Sequence, residues 1–140
     1  MFAGFLVFDA WIANTDRHAE NWAVLTCKRN GRRTLAASFD HGSALASGSQ
    51  DEQLETADVE QFARRGFAGR FEDGKHVPLV DLALAAVART GGRAQEWLRQ
   101  LHDLEPSEIE RVISRIPEMS DVRRRFVVDL LLINQRRLTS

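Results

Sequence analysis

The sequence has little cysteine and no long apolar run, and each absence excludes a class of protein. Cys27 is the only cysteine, which rules out an internal disulfide framework and favours a reducing compartment. The apolar start, residues 1–12, is too short to span a bilayer, and Asp9 interrupts it. Because this segment also lacks basic residues and a small-residue cleavage site, it is not typical of a signal peptide. We therefore expect a cytoplasmic protein with no membrane partner.

Lysine and net charge are also scarce. The chain carries 19 basic and 20 acidic side chains, a net charge of −1, and only Lys28 and Lys75 are lysines. This balance gives no reason to expect nucleic acid or an anionic membrane as the main partner. The arginines form clusters separated by acidic residues, which predicts a solvated surface. These clusters are Arg32-Arg33, Arg64-Arg65, Arg123-Arg124-Arg125 and Arg136-Arg137.

The overall composition is that of an ordinary globular protein. Hydrophobic residues make up 44% and charged residues 28% of the chain, which argues against disorder. We find no internal repeat and no low-complexity linker. The 140 residues therefore predict a single domain over positions 1–140.

The hydrophobic pattern predicts an α+β fold that is mostly α. Apolar residues at helical spacing predict a buried helix over residues 2–13. Two strand-like runs, 22–27 and 34–39, flank Asn30-Gly31, which favours a tight hairpin turn. Such a hairpin is marginal alone and needs cover from helices. Residues 40–77 are expected to be irregular apart from one helical turn, and helices follow over 79–90, 94–102, 106–116 and 120–138.

Several apolar residues are expected in the core of this fold. We assign the tryptophans Trp11, Trp22 and Trp97 and the small Cys27 to the interior. One face of the helix after Pro106 presents Ile109, Val112, Ile113 and Ile116. The core residues of the last helix are Phe126, Val127, Leu130, Leu131 and Ile133.

Polar residues suited to phosphoryl transfer lie around the predicted hairpin. Asp16 and Asn21 are five positions apart in the loop before it, and Asp40 follows its second strand. Phosphoryl transfer needs a carboxylate that orients the attacking hydroxyl and hard oxygen ligands for Mg²⁺. The hairpin would return Asp40 beside the loop, and Gly42 would let the chain turn away without a side-chain clash. The pattern therefore predicts a phosphotransfer site.

The Asp-x-His-x-x-Asn loop of residues 16–21 and the later Asp-x-Gly of residues 40–42 resemble the C-terminal lobe of HipA-like serine/threonine kinases. The Asp-Arg-His-x-x-Asn version is also similar to phosphatidylinositol 3- and 4-kinases, and residues 116–138 resemble the end of HipA-like kinase domains. The resemblance implies a protein-kinase-like C-lobe, with a catalytic loop, a small β-hairpin and a helical bundle, that uses ATP and Mg²⁺. It makes Asp16 and His18 catalytic residues, and Asn21 and Asp40 the residues that bind the metal and its nucleotide. His18 would orient Asp16 or touch the transferred phosphate, and Arg17 would be structural.

A kinase site also needs a glycine-rich loop over the phosphates and a lysine that pairs with them. No lysine precedes residue 28, so the sequence predicts a partial C-lobe without the N-lobe. A longer gene product or a partner protein would supply that lobe, or the chain is a degenerate remnant. The isolated chain is expected to be inactive, and the acceptor is a hydroxyl on a protein, lipid or small molecule.

Two other functions remain open at this stage. A metal-dependent phosphohydrolase would use Asp16, His18, Asp40 and His41 around one metal, and two histidine ligands would favour Zn²⁺ or Mn²⁺ over Mg²⁺. A non-catalytic helical module derived from a kinase lobe would keep the same fold as a binding surface.

Overall fold

Helices dominate the computed structural model, which describes residues 2–71 and 76–140. In these two ranges the helices are α1 Phe2–Trp11, α2 Asp51–Thr56, α3 Val59–Arg64, α4 Leu79–Thr90, α5 Gly92–His102, α6 Pro106–Ile113 and α7 Asp121–Thr139. The strands are β1 Val24–Thr26 and β2 Arg33–Leu35. The predicted α+β class, mostly α, with one small hairpin and a helical bundle, is confirmed. Met1, Gly74 and Lys75 lie outside the described residues.

In the two described ranges, no helix is long and apolar enough to cross a bilayer.

Helix α7 is the centre of the bundle and packs against all of α1 to α6. It begins where the Ser120 hydroxyl accepts a hydrogen bond of 3.1 Å from the Arg123 N–H, which makes Ser120 the N-cap. Phe126 and Leu130 pack with α2 and α3, whereas Val127 and Leu131 pack with α6. These four predicted core residues are buried, and Ile133 is half-buried beside them.

Helix α1 is buried between α4, α5 and α7, as the apolar spacing predicts. Its contact with α5 is close: a Cβ added at Gly4 would lie 2.6 Å from the Trp97 ring. Glycine is therefore needed there for the two helices to approach. The helix ends at Trp11, two residues earlier than expected, and Ala13 takes a left-handed φ of 53°.

The hairpin differs from its prediction in length, turn and cover. Each strand has only three residues, with Leu25 opposite Thr34. The turn is longer than two residues, because the Cys27 N–H donates to the Arg32 carbonyl and only Gly31 takes a positive φ. Both strands are largely exposed, with Leu25 57% accessible, so the expectation that helices cover the hairpin is wrong. Its side chains are too few and too polar to bury a face.

Other departures concern the segment after residue 50 and four apolar side chains. Two short helices, α2 and α3, replace the expected irregular stretch, since Leu54 and Ala63 supply enough apolar surface to dock on α7.

Four residues assigned to the core are exposed: Cys27, Trp22, Trp97 at 45% and Val112 at 60%. Helical spacing locates a face but does not decide how much of that face is covered.

Two of the four arginine clusters, Arg32-Arg33 and Arg64-Arg65, are exposed as predicted, but the two on α7 are not simply solvated. Arg123 donates to the carbonyls of Ala46 and Ser49 and pairs with Asp51. Arg137 donates to the Ala63 carbonyl at 2.7 Å, and burial lowers the pKa of its guanidinium, with the nearby Arg64 charge acting in the same direction. Guanidinium groups thus tie the loops and short helices to α7, which corrects the sequence interpretation.

Candidate active site

The loop after α1 is built from its own polar side chains. The Asn14 N–H donates to the Asp9 carbonyl at 2.8 Å and turns the chain away from the helix axis. Residues Ala19–Asn21 form a 3₁₀ turn, in which the Asn21 Oδ1 accepts a hydrogen bond of 3.0 Å from the His18 N–H. The Asn21 Nδ2 donates to the Asp16 carbonyl at 2.5 Å. Asn21, which is 1% exposed, therefore fixes the conformation of the loop that carries Asp16.

A buried ion pair anchors this loop to α1. Asp9 and Arg17 are 0% and 2% exposed. The Arg17 Nε lies 2.6 Å from Asp9 Oδ2 and the Arg17 Nη2 lies 2.7 Å from Asp9 Oδ1, a bidentate arrangement. The Asn14 amide donates a further bond of 2.8 Å to Asp9 Oδ1. The carboxylate is thus satisfied without water, which is the condition for burying a charge at acceptable cost.

The same Arg17 guanidinium also holds the chain that follows the hairpin. Its Nη1 donates to the Asn21 carbonyl at 2.7 Å and to the Phe39 carbonyl at 3.5 Å. Its Nη2 donates to the Ser38 Oγ at 2.9 Å. One side chain therefore brings together the loop that carries Asp16 and Asn21 and the residue that directly precedes Asp40.

Asp40 turns the chain at this point. It takes a left-handed φ of 59°, a conformation that aspartate tolerates better than most residues. Gly42 has no positive φ, and a Cβ added there would meet nothing within 4 Å. The chain does turn at Gly42 and Ser43, where the Ala44 N–H donates to the His41 carbonyl at 3.0 Å, but this turn does not require a glycine.

Asp16 has a partner that the sequence did not indicate. The Arg70 Nη1 lies 2.7 Å from Asp16 Oδ1, with the arginine side chain 61% and the aspartate side chain 31% exposed. Arg70 follows α3, in a segment whose start is held by the pairing of Phe67 with Pro78 and by the Ala68 N–H bond to the Val77 carbonyl. The pair orients one carboxylate oxygen of Asp16, and at this exposure it adds little stability.

The two histidines near the site have different neighbours. The His18 Nδ1 accepts a hydrogen bond of 3.3 Å from the Glu20 N–H and caps the 3₁₀ turn. The His41 Nε2 lies 2.8 Å from the Ser38 Oγ. The His41 ring packs edge-on against the Phe8 ring, with the ring centroids 5.3 Å apart. His41 thus packs and hydrogen-bonds beside the turn. Through Ser38 it also joins the network around Arg17.

The donor chemistry of the loop fits a hard divalent cation such as Mg²⁺. Asn21 Oδ1 accepts only the His18 N–H among the described residues, which leaves a second lone pair. Asp40 adds an exposed carboxylate beside the Phe39 carbonyl that Arg17 holds. Amide and carboxylate oxygens are ligands that Mg²⁺ accepts, with water or phosphate oxygens in the remaining positions. Over residues 2–71 and 76–140 there is no group of three or more His, Cys, Asp and Glu side chains that could hold a metal ion.

Sequence reasoning missed the roles of Asp9 and Arg70. Asp9 had a usable signal: a lone acid inside an apolar helix must find a cation, and Arg17 is the first basic residue in the chain. Arg70 had none, because it lies 54 positions from Asp16 and only the fold brings the two together.

Comparison with known proteins gives a structural neighbour. No protein-family profile and no curated protein sequence matches the chain. The crystal structure of the Helicobacter pylori proinflammatory kinase CtkA matches it with a TM-score of 0.75 and 21% sequence identity. The match covers 97% of this chain and 51% of the CtkA chain, so this protein spans about half the length of that kinase. At this identity the likeness shows the fold alone. This chain has the fold of a kinase lobe.

Proposed function

We propose that the chain is the catalytic lobe of a HipA-like, ATP-dependent kinase that transfers the γ-phosphate of ATP to a hydroxyl acceptor. The kinase-like fold supports the reaction class. The main support from the site itself is the Arg17 guanidinium, which bonds to both the Asn21 and Phe39 carbonyls. Asp16, Asn21 and Asp40 thus belong to two segments that share one buried anchor.

Asp16 is the residue that receives the acceptor. Arg70 occupies its Oδ1 and leaves Oδ2 to accept a hydrogen bond from the attacking hydroxyl. As the oxygen–phosphorus bond forms and the bond between the β- and γ-phosphates breaks, the hydroxyl proton passes to this carboxylate and ADP leaves. His18 shapes the loop by capping its 3₁₀ turn.

Asn21 and Asp40 would hold Mg²⁺, which when bound neutralises part of the negative charge on the nucleotide phosphates. Asn21 can do so only as part of the folded loop, because its amide nitrogen is committed to the Asp16 carbonyl. Asp40 is held at the end of the hairpin by its own left-handed turn and by the Arg17 bond to the preceding carbonyl.

The geometry favours the kinase over the phosphohydrolase. The hydrolase needs His18 and His41 as metal ligands together with two aspartates. In the structure the His18 Nδ1 caps the 3₁₀ turn and the His41 Nε2 meets the Ser38 hydroxyl, so the two rings serve different segments. In the part of the chain that is described, no cluster of three such ligands forms.

We propose that residues outside this lobe supply the rest of the nucleotide site. The triphosphate needs a backbone loop and a cation over it. Lys28 is exposed in the hairpin turn, on the far side of the strands from Asp40. An N-lobe in the same gene product, or a partner protein, would supply both elements.

The replacement Asp16→Asn tests the proposed role of the carboxylate. In the full-length gene product we expect transfer from ATP to fall roughly 10²–10⁴-fold, the usual contribution of a positioned acid–base group, while the affinity for ATP changes little. Single-turnover assays with γ-labelled ATP measure the transfer, and Asp129→Asn, an exposed residue on α7, is the control. A loss of ATP affinity with undiminished turnover of bound ATP would show that Asp16 has another role.

The replacement Asp40→Ala tests the metal site without turnover. Mn²⁺, a spectroscopic substitute for Mg²⁺, should bind the wild-type chain weakly and the variant more weakly still, because one of two protein ligands is lost. Electron paramagnetic resonance counts the free Mn²⁺ during titration, and Asp129→Ala should titrate as wild type does. Equal binding by wild type and Asp40→Ala would remove Asp40 from the site.

A further inference from the structure

A cleft of about 540 Å³ opens beside the loop that carries Asp16. We name it the loop cleft. Its walls are Thr15, residues 42–43 and 46–49, and Arg65 and Gly66, which follow α3. The volume lies in the range of small-ligand sites. Thr15 directly precedes Asp16, so the cleft adjoins the loop that carries the proposed catalytic residue, although Asp16 itself does not line it.

The lining of the loop cleft suits an oxyanion. Thr15, Ser43 and Ser49 bring hydroxyl groups, Arg65 brings a positive charge, and none of the described lining residues is acidic. The Ser47 hydroxyl also lines the cleft, but it donates to the Gly42 carbonyl. Within the described ranges, Arg65 forms no ion pair, whereas the neighbouring Arg64 lies 3.8 Å from Glu60. A guanidinium whose N–H groups are not committed to a carboxylate binds phosphate or carboxylate through paired hydrogen bonds.

The walls of the loop cleft are held in place. Leu45 and Ala46 both take left-handed φ values, 54° and 55°, which only a well-supported segment keeps. The Arg123 guanidinium of α7 donates hydrogen bonds to the Ala46 and Ser49 carbonyls of this segment. On the opposite wall, the Arg65 N–H donates to the carbonyls of Gln61 and Phe62 at the end of α3. The walls of the cleft are therefore tied by hydrogen bonds to α3 and α7.

We propose that the loop cleft binds the phosphoryl acceptor, and that this acceptor carries an oxyanion, recognised by Arg65, close to the hydroxyl that attacks. This inference rests on the proposed kinase function. The hydroxyl oxygen forms its bond to the γ-phosphorus, its proton moves to Asp16, and ADP is released from ATP. The oxyanion takes no part in the bond changes and fixes the position of the acceptor.

Two sources can supply this chemistry, a small alcohol that bears a phosphate or a serine beside an acidic residue in a peptide. Glycerol 3-phosphate and glycerol are a matched pair for the first source, since they differ by the phosphate alone. Peptides containing Ser-Asp and Ser-Asn are the matched pair for the second.

The first experiment titrates these four probes into the ¹⁵N-labelled chain without nucleotide and follows the amide signals of Thr15, Gly42 and Ser47. We expect one anionic probe to bind at the cleft more tightly than its neutral partner, and Arg65→Gln to weaken that binding about tenfold or more. Arg64→Gln, the adjacent exposed arginine, should bind as wild type does. Arg65→Lys should bind the anionic probe with an affinity between those of wild type and Arg65→Gln, because it keeps the positive charge and loses the planar guanidinium.

The outcomes separate the two sources and the two proposals. Tighter binding of glycerol 3-phosphate assigns a small phosphorylated acceptor, and tighter binding of the Ser-Asp peptide assigns a protein acceptor. Equal binding of anionic and neutral probes, or equal loss in Arg64→Gln and Arg65→Gln, overturns the assignment of the cleft. Because no nucleotide is present, anion binding in a gene product that never transfers phosphate would defeat the kinase proposal and leave the cleft standing.

Discussion

At the residue scale, the buried ion pair of Asp9 and Arg17 holds together the segments that carry the proposed site residues. It fixes the loop after α1 and, through the Phe39 carbonyl and Ser38, the end of the hairpin. Charges in such a position cost several kcal/mol to desolvate, and only complete pairing offsets that cost.

We predict that Asp9→Ala lowers the free energy of unfolding by about 3–5 kcal/mol, because it leaves the Arg17 charge buried and unpaired. The double variant Asp9→Ala with Arg17→Met should lose less than Asp9→Ala alone, since a buried unpaired charge costs more than the Arg17 bonds to the Asn21 and Phe39 carbonyls that are lost with it. Urea denaturation followed by circular dichroism measures both. A double variant less stable than Asp9→Ala would show that the other hydrogen bonds of Arg17 contribute more to stability than its charge costs when Asp9 is absent.

The resemblance of residues 16–21 and 40–42 to kinase motifs predicts the chemistry of the site, and the structure shows the local role of three residues in that pattern. Asn21 bonds within its own loop, Asp40 makes the turn, and Asp16 is paired with Arg70. The roles of these residues in catalysis remain predictions.

At the scale of elements, the ends of helices are held by arginines from α7. Arg124 donates to the Ile113 carbonyl at 2.6 Å and to the Ile116 carbonyl at 2.7 Å. Ile113 is the last residue of α6, where carbonyls lack an i+4 helical partner, and Ile116 lies in the turn that follows. A residue expected to be an ordinary surface arginine is therefore a cap for the neighbouring helix.

We predict that Arg124→Ala lowers stability by about 1–3 kcal/mol, because a charged hydrogen bond to buried carbonyls is lost. Arg125→Ala should change it by no more than about 0.5 kcal/mol, as expected for an exposed residue next in sequence. Thermal melts of the two variants give the comparison. Matching melting temperatures would show that the bonds seen at Arg124 contribute nothing net.

At the scale of the whole molecule, α7 is the element on which all the other helices depend. Three groups of buried residues meet around it, one with α2 and α3, one with α6, and one with α1, α4 and α5. The loop cleft and the Asp16 loop lie on this support, since Ala13 and Ala46 pack in the same group as Leu130.

We predict that Leu130→Ala lowers the free energy of unfolding by about 2–5 kcal/mol and leaves a single cooperative transition, since Leu130 is fully buried where α2, α3 and α7 meet. Tryptophan fluorescence and far-ultraviolet circular dichroism should report the same midpoint in urea. Asp129→Ala, the exposed neighbour, should stay within about 0.5 kcal/mol of wild type. Separate midpoints for the two probes would indicate that the helices around α7 unfold independently.

The sequence by itself determined the helical class, the α1 and α7 cores, the Ser120 cap and the loop with Asp16 and Asn21. These depend on local spacing, since helical periodicity and capping act over a few residues. The tertiary structure alone decided that Trp22, Trp97 and Val112 are exposed, that α2 and α3 form, and that Arg70 meets Asp16. Exposure and pairing between distant residues depend on how elements pack, and no local pattern encodes which neighbour will cover a face or satisfy a charge.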